Sequence, residues 1–244
     1  MTVMPDTRKH RGSHPHDKEL FAAVFQPSLR EAVRHLSWLL TRGYAMPSSL
    51  KLVGDRFTLT ERQRLAVARS SCSDQSLASR RKRQVLSSQL AGETVDIDGF
   101  NLLTTIEAAL SGGVLLVGRD GSLRDMASMH GSYRRVEETI PALTLLGETL
   151  QAAGINLCQW WLDQPVSNSG RLKKIMLELS VEHAWPWTVN LVPDPDAVLR
   201  NSTNVVITAD GPVLDDCRRW TNLAAEIVQT RLGENVPIDL RDDA

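Results

Sequence analysis

Three aspartates stand where apolar runs stop: Asp98 in Thr94-Val-Asp-Ile-Asp98-Gly-Phe-Asn101, Asp163 in Leu157-Cys-Gln-Trp-Trp-Leu-Asp163, and Asp210 in Val205-Val-Ile-Thr-Ala-Asp210. Each run reads as a strand. In a parallel α/β sheet the strand C-termini share one edge, and ligands bind along it. Carboxylates gathered in such a crevice repel one another unless a proton or a cation lies between them. An oxygen-preferring divalent ion, Mg²⁺ or Mn²⁺, is therefore the expected cofactor, with Asp98, Asp163 and Asp210 as its ligands.

The residues around these aspartates extend the expected site. Gly99 lets the chain turn straight after the first strand, and Asn101 either caps the next helix or points its amide into the crevice. In Gly118-Arg-Asp120-Gly-Ser-Leu-Arg124-Asp125, Asp120-Gly121 signals a turn. Arg119, Arg124 and Asp125 are read either as a hydrophilic surface loop or as groups that hold substrate phosphate or complete a metal shell, with Asp125 as an auxiliary acid. Gln164-Pro-Val-Ser167-Asn-Ser169-Gly170-Arg171 places a polar loop before a helix, where free backbone N–H groups can bind an anion. Ser167, Asn168, Ser169 and Arg171 are the expected phosphate contacts there, against the plainer reading of a capped helix. Asp215 lies one turn into the helix after Asp210 and is a second auxiliary acid. His14-Pro-His16-Asp17 reads as a loop with Asp17 as a helix N-cap rather than as a metal cluster. There is no Gly-x-Ser-x-Gly elbow, P-loop or dinucleotide turn.

What positions these groups is a strand–helix alternation from residue 93 onward. Strands are expected near 94–98, 114–118, 157–163, 187–192 and 204–209, with helices near 101–111, 136–153, 169–184 and 213–231. That order predicts an α/β fold: a three-layer, Rossmann-like domain with a mostly parallel sheet over residues 93–244. A small helical domain, residues 1–92, precedes it. Its apolar stripes are Leu20, Phe21, Val24 and Phe25, then Leu29, Ala32, Val33, Leu36, Leu39 and Leu40, with Pro27 interrupting. Residues 48–56 read as a connector turning at Gly54, and Thr60-Glu-Arg-Gln63 has capping-box form. The tail after Gly233 is expected to be loosely held. Trp160, Trp161, Trp185 and Trp187 are expected in the core.

Residues 1–92 hold 16 Lys/Arg against 7 Asp/Glu, and residues 93–244 hold 12 against 22. Such a split suits either a polyanionic partner for the basic half or electrostatic docking of the halves. Arg80-Arg-Lys-Arg83 is the densest basic cluster and is read either as a solvated stretch between modules or as a grip on RNA phosphates. No apolar run reaches membrane-spanning length, and the N-terminus carries no secretory pattern. Three widely spaced cysteines suggest a reducing, cytoplasmic setting. Oligomeric state stays open.

Val95-Asp-Ile-Asp98-Gly-Phe-Asn101 resembles the opening strand of PIN-like nucleases, especially their NYN branch, and Thr208-Ala-Asp210-Gly-Pro-Val-Leu-Asp215 is similar to that family's late strand. The resemblance covers about residues 94–220. It implies a PIN-type domain in which Asp98, Asp163 and Asp210 hold Mg²⁺ or Mn²⁺ for hydrolysis of RNA phosphodiester bonds. The branch's central Lys-x-x-Asp pattern is missing, with Ser167-Asn-Ser169-Gly170 in that neighbourhood. The two-part layout also resembles an uncharacterised prokaryotic two-domain family, which carries no activity with it. Two alternatives remain at this stage. Asp96-Ile-Asp98-Gly99 has the form of haloacid-dehalogenase phosphatases, with Asp96 as nucleophile, and the pocket could belong to a non-catalytic RNA- or nucleotide-binding protein.

Overall fold

The computed structural model describes residues 10–12, 14–127, 131–233 and 235–241. The apolar runs become β1 (Thr94–Asp98), β4 (Leu157–Asp163), β5 (Trp187–Val192), β6 (Val205–Ile207) and β7 (Arg219–Thr221) of one all-parallel sheet. Their spatial order is β5-β4-β1-β6-β7. The register sets Asp98 opposite Trp161 of β4, so Asp163 lies two residues further along its strand. The chain moves outward from β1 through β4 to β5, then returns beside β1 at β6 and moves outward again to β7. Strand order therefore reverses between β1 and β6, the kind of switch point that opens a crevice at strand C-termini.

Alternation along the strands sends side chains to two helical layers. Ile97, Trp160, Val189, Val205 and Ile207 pack against α6 (Gly99–Leu110), α7 (Thr139–Ala152), α8 (Ser169–Glu182) and α11 (Leu223–Arg231). Val206 and Trp220 face the other way, toward the short α9 (Pro195–Arg200) and α10 (Gly211–Asp216), where Leu199, Val213, Leu214 and Cys217 are buried. Gly99 is required here: a Cβ would sit 2.5 Å from Leu162 and 2.9 Å from the Trp161 carbonyl, so α6 could not start so close to β4. Trp160, Trp185 and Trp187 are core residues as expected, and Trp161 packs against the second layer.

The helical region comprises α1 (Asp17–Leu20), α2 (Gln26–Thr41), α3 (Met46–Arg56), α4 (Glu61–Ser70) and α5 (Asp74–Arg83). The stripe of α2 is buried through Leu29, Ala32, Val33 and Leu36, each large side chain contributing roughly 2 kcal/mol. Thr60 and Gln63 form the expected reciprocal cap of α4.

Several expectations are corrected. Residues 48–56 are helix rather than connector, and Gly54 leaves room for the Arg64 guanidinium, which a Cβ would meet at 2.2 Å. Pro27 opens α2 within its first turn, where a missing N–H costs nothing. The run 114–118 yields β2 (Leu115–Val117), which leaves the main sheet and joins β3 (Leu123–Asp125) and β8 (Ile238–Asp239) in a separate three-stranded sheet. Leu116 of that sheet, with Met126 and Leu240 just beyond its strands, packs into the helical region's core, so residues 238–240 are anchored rather than loosely held. The expected helix at 213–231 is broken into α10, β7 and α11. Asp17 begins α1 instead of capping it, and its carboxylate binds Arg62 at 2.5 Å.

Candidate active-site cleft

At the switch point the helical region roofs the carboxyl edge of the sheet and leaves a cleft of about 830 Å³. One wall comes from Leu40, Met46, Ala68, Arg69, Ser71, Ser73 and Arg80; the other comes from Asp98, Asn101, Arg124, Asp125, Asp196, Asp210 and Asp215. Clefts of this size between modules are the usual form of small-ligand sites.

Asp98 is a buried carboxylate, 8% exposed. It ends β1 and caps α6, one oxygen accepting the Asn101 N–H at 3.3 Å and the other the Thr208 hydroxyl at 2.8 Å. Thr208 Oγ1 in turn accepts the Asp210 N–H at 3.0 Å, tying the ends of β1 and β6 together. Asp210 caps α10 by accepting the Val213 N–H at 3.2 Å. Burial raises the Asp98 carboxyl, the nearby charges of Asp210 and Asp196 raise it further, and it is pushed up to about 7. Burial and then the charge of Asp210 also raise Asp196 above the ordinary carboxylate value. Asp98, Asp196 and Asp210 thus form one electrostatically coupled group at the switch point.

The expected third ligand is displaced from this group. Asp163 ends β4, one strand away from the switch point, and does not line the cleft; burial and then Asp194 raise its carboxyl. Among the described residues no three His, Cys, Asp or Glu side chains form a ready metal cage, so the structure does not bring Asp98, Asp163 and Asp210 together around one ion. It brings Asp196 to the cleft instead.

Asp125 and Asp215, the expected auxiliary acids, do line the cleft, but both are engaged. Asp125 accepts from the Ala127 N–H at 2.6 Å and Thr105 at 2.8 Å, and lies 3.6 Å from Arg69. Asp215 binds Arg80 at 2.8 Å. Arg124 is likewise committed, to both oxygens of Asp120 and to the Ala209 carbonyl. Arg119 reaches Asp74 at 2.7 Å and the Cys72 carbonyl at 3.0 Å. Asn101 accepts the Ala209 N–H at Oδ1, 2.8 Å, which turns its NH₂ donor toward the cleft it lines.

The Ser167–Arg171 loop lies outside the cleft lining. Its main-chain groups pair with Gly131 and Tyr133, and Asn168, in the left-handed region at φ 69°, donates to the Tyr133 carbonyl at 3.0 Å. Ser169 is buried at the start of α8, and Arg171 is exposed. In the basic cluster, Arg80 is buried between Asp120 (2.6 Å), Asp215 and the Gly211 carbonyl, and Arg83 binds the carbonyls of Leu214, Asp215 and Cys217. These two arginines dock α5 onto α10; Arg81 and Lys82 remain exposed. Asp96 is enclosed by donors from Gln159, Trp161, Ser202 and Asn204, so Asp98 alone of the pair lines the cleft.

Residues 87–226, which carry every carboxylate of the cleft, match the family described as "Domain of unknown function (DUF5616)". The chain belongs to the DUF5616 family. In this DUF5616 protein, residues 28–83 also match a family described as "Protein of unknown function (DUF434)", and these supply the roof of the cleft. The two matches make it a two-domain member of uncharacterised families. The Uncharacterized protein MJ0935 of Methanocaldococcus jannaschii is 28% identical over 204 residues, covering 83% of this chain and 97% of that protein. No solved structure matches the chain. Among the described residues no helix is long and apolar enough to cross a membrane.

Asp196, Thr208, Arg69 and the Leu40/Met46 wall were not singled out in the sequence. Asp196 had a signal: Pro193-Asp-Pro-Asp196 follows a strand just as Asp98 and Asp210 do. The roof residues had none, because nothing local to α2 or α3 reveals that they face a distant sheet edge.

Proposed function

We propose that the cleft is the active site of a divalent-cation-dependent hydrolase that cleaves phosphodiester bonds in RNA. One observation carries this reading: a buried Asp98 coupled to Asp196 and Asp210 at the sheet's switch point, with its carboxyl pushed up to about 7. Such a group is relieved by a cation. The donors are all hard oxygens, which suits Mg²⁺ or Mn²⁺ over softer metals. Mg²⁺ uses only one or two protein carboxylates and completes its shell with water and phosphate, so Asp98 and Asp210 suffice where the described residues form no three-carboxylate cage. The resemblance of Asp98-Gly-Phe-Asn101 and Thr208-Ala-Asp210 to PIN-like nucleases points the same way.

The bound ion would neutralise charge building on the phosphoryl group and ease ionisation of a water. The chain's own residues do the remaining work. Thr208 Oγ1, donating to Asp98 Oδ2, fixes the carboxylate's orientation, and Asn101 Nδ2 offers a hydrogen bond to a phosphate oxygen. Asp196, whose carboxyl is raised by burial and by Asp210, is the cleft carboxyl placed to exchange a proton with the leaving oxygen. Arg81 and Lys82 are the cations of the Arg80–Arg83 cluster left to meet RNA phosphates. Cleavage of a labelled single-stranded RNA in Mn²⁺ by wild type and Asp98→Asn tests the proposal. Activity in wild type that falls by a factor of about 10³ or more in Asp98→Asn is expected; equal rates in both would remove Asp98 from the reaction.

A further inference from the structure

We infer that the cleft admits one nucleotide at a time, either a free mononucleotide or the terminal nucleotide of a single strand, and excludes an uninterrupted strand. This rests on the cation-dependent phosphoryl reading above and deepens it.

Two arginine bridges join the modules beside the carboxylates. On the α10 side Arg80 joins α5 to Asp215 and to the Gly211 carbonyl. At the end of β3 Arg69 joins α4 to the carbonyls of Asp125 (2.5 Å) and Ala127 (2.9 Å). The cleft's volume of about 830 Å³ falls in the range that holds a single drug-sized ligand.

Charge gives a second, independent argument. Grooves that track a single strand present cations along its backbone. The guanidinium groups lining this cleft belong to Arg69, Arg80 and Arg124, and each is already bonded to a carboxylate or a main-chain carbonyl. One phosphate can be held through a cation on Asp98 and Asp210; its neighbours along a strand would find the lining arginines already engaged. Across from the carboxylates, Leu40 and Met46 offer a half-buried apolar wall with Ser71 and Ser73 beside it. A phosphate over the aspartates therefore places its base against that wall and its sugar near hydroxyl groups.

The test is calorimetry on the full chain, with Mn²⁺ alone and then, in Mn²⁺, inorganic phosphate, AMP, a linear 5′-phosphorylated hexanucleotide and the same hexanucleotide covalently circularised. We expect AMP or the linear strand to bind at least tenfold tighter than phosphate, and the circle not to bind. Preference between AMP and the linear strand identifies which carries the terminal nucleotide. Equal binding of circle and line, or no gain of AMP and line over phosphate, overturns the inference while leaving the cation site standing. Absence of Mn²⁺ binding overturns the cation reading and this inference with it. Met46→Trp, which fills the apolar wall, should weaken AMP or the line tenfold without moving the Mn²⁺ isotherm; Leu40→Ala, which empties it, should weaken them less. Unchanged binding in both folded variants would contradict the placement of the base.

Discussion

Two buried aspartates meet opposite fates within one cleft region. Asp120 is 5% exposed and Asp98 is 8% exposed, so burial penalises both charges alike. Around Asp120 stand Arg80 and Arg124; burial would raise its carboxyl, but the two guanidinium groups win and hold it well below the ordinary range. Around Asp98 stand Asp196 and Asp210, and its carboxyl is pushed up to about 7. The first arrangement is complete within the chain and staples the helical region to the sheet. The second is incomplete, and what it lacks is positive charge. Buried polar groups that satisfy one another mark architecture; those that do not mark a place for a ligand.

The largest expected effect comes from breaking the complete arrangement. Arg80→Met should lower stability to urea by about 3–5 kcal/mol, because Asp120 is left buried with half its counter-charge. A loss below about 1 kcal/mol would mean that the network is not what joins the modules. A second test uses pH in metal-free protein. At pH below the ordinary carboxylate value of 3.8 Asp98 is protonated folded or unfolded, and nothing is lost. As pH rises from 3.8 to about 7 the unfolded chain ionises Asp98 while the folded state keeps its proton, so stability declines by an amount on the order of 4 kcal/mol and levels off above about 7. Asp98→Asn should flatten that decline and stabilise the metal-free protein at pH 8. Asp120 tilts the curve the other way: its contribution is present above 3.8 and is lost as pH falls toward its depressed value. A decline between pH 4 and 8 that survives in Asp98→Asn would assign it elsewhere.

Smaller effects sharpen the line between structure and site. Asn168→Ala should cost about 1 kcal/mol by thermal unfolding, since φ is 69° there, and Asn168→Gly should regain part of it. If Asn168 held phosphate instead, both variants would weaken ligand binding equally. Arg81→Ala with Lys82→Ala should shift stability by less than about 0.5 kcal/mol. On RNA the pair should reduce the slope of log affinity against log salt by up to about 0.7 per lost contact.

Much of this was legible along the chain. Asp98 and Asp210 could be found because strand periodicity and a following glycine locate a strand end from a few residues. Asp163 could be located on its strand but not relative to the others: strand order is set by which crossovers pack, and nothing near Leu157–Asp163 states that β4 lies one place from the switch point. The same gap hid the departure of β2 from the main sheet, since its partner β8 lies more than 120 residues away. Arg80-Arg-Lys-Arg83 looked solvated because its acids, Asp120 and Asp215, are remote in sequence. Asp196 was missed for a local reason. It lies beyond its strand's end rather than at it, within α9, which Pro195 opens and Asp194 caps.

The most direct measurement is a calorimetric titration of Mn²⁺ into wild type and Asp98→Asn at pH 8, where Asp98 is ionised. We predict one Mn²⁺ per wild-type chain and at least a tenfold weaker isotherm in Asp98→Asn. No binding in wild type, or the same affinity in both, would contradict the claim that the unpaired aspartates at the switch point await a cation.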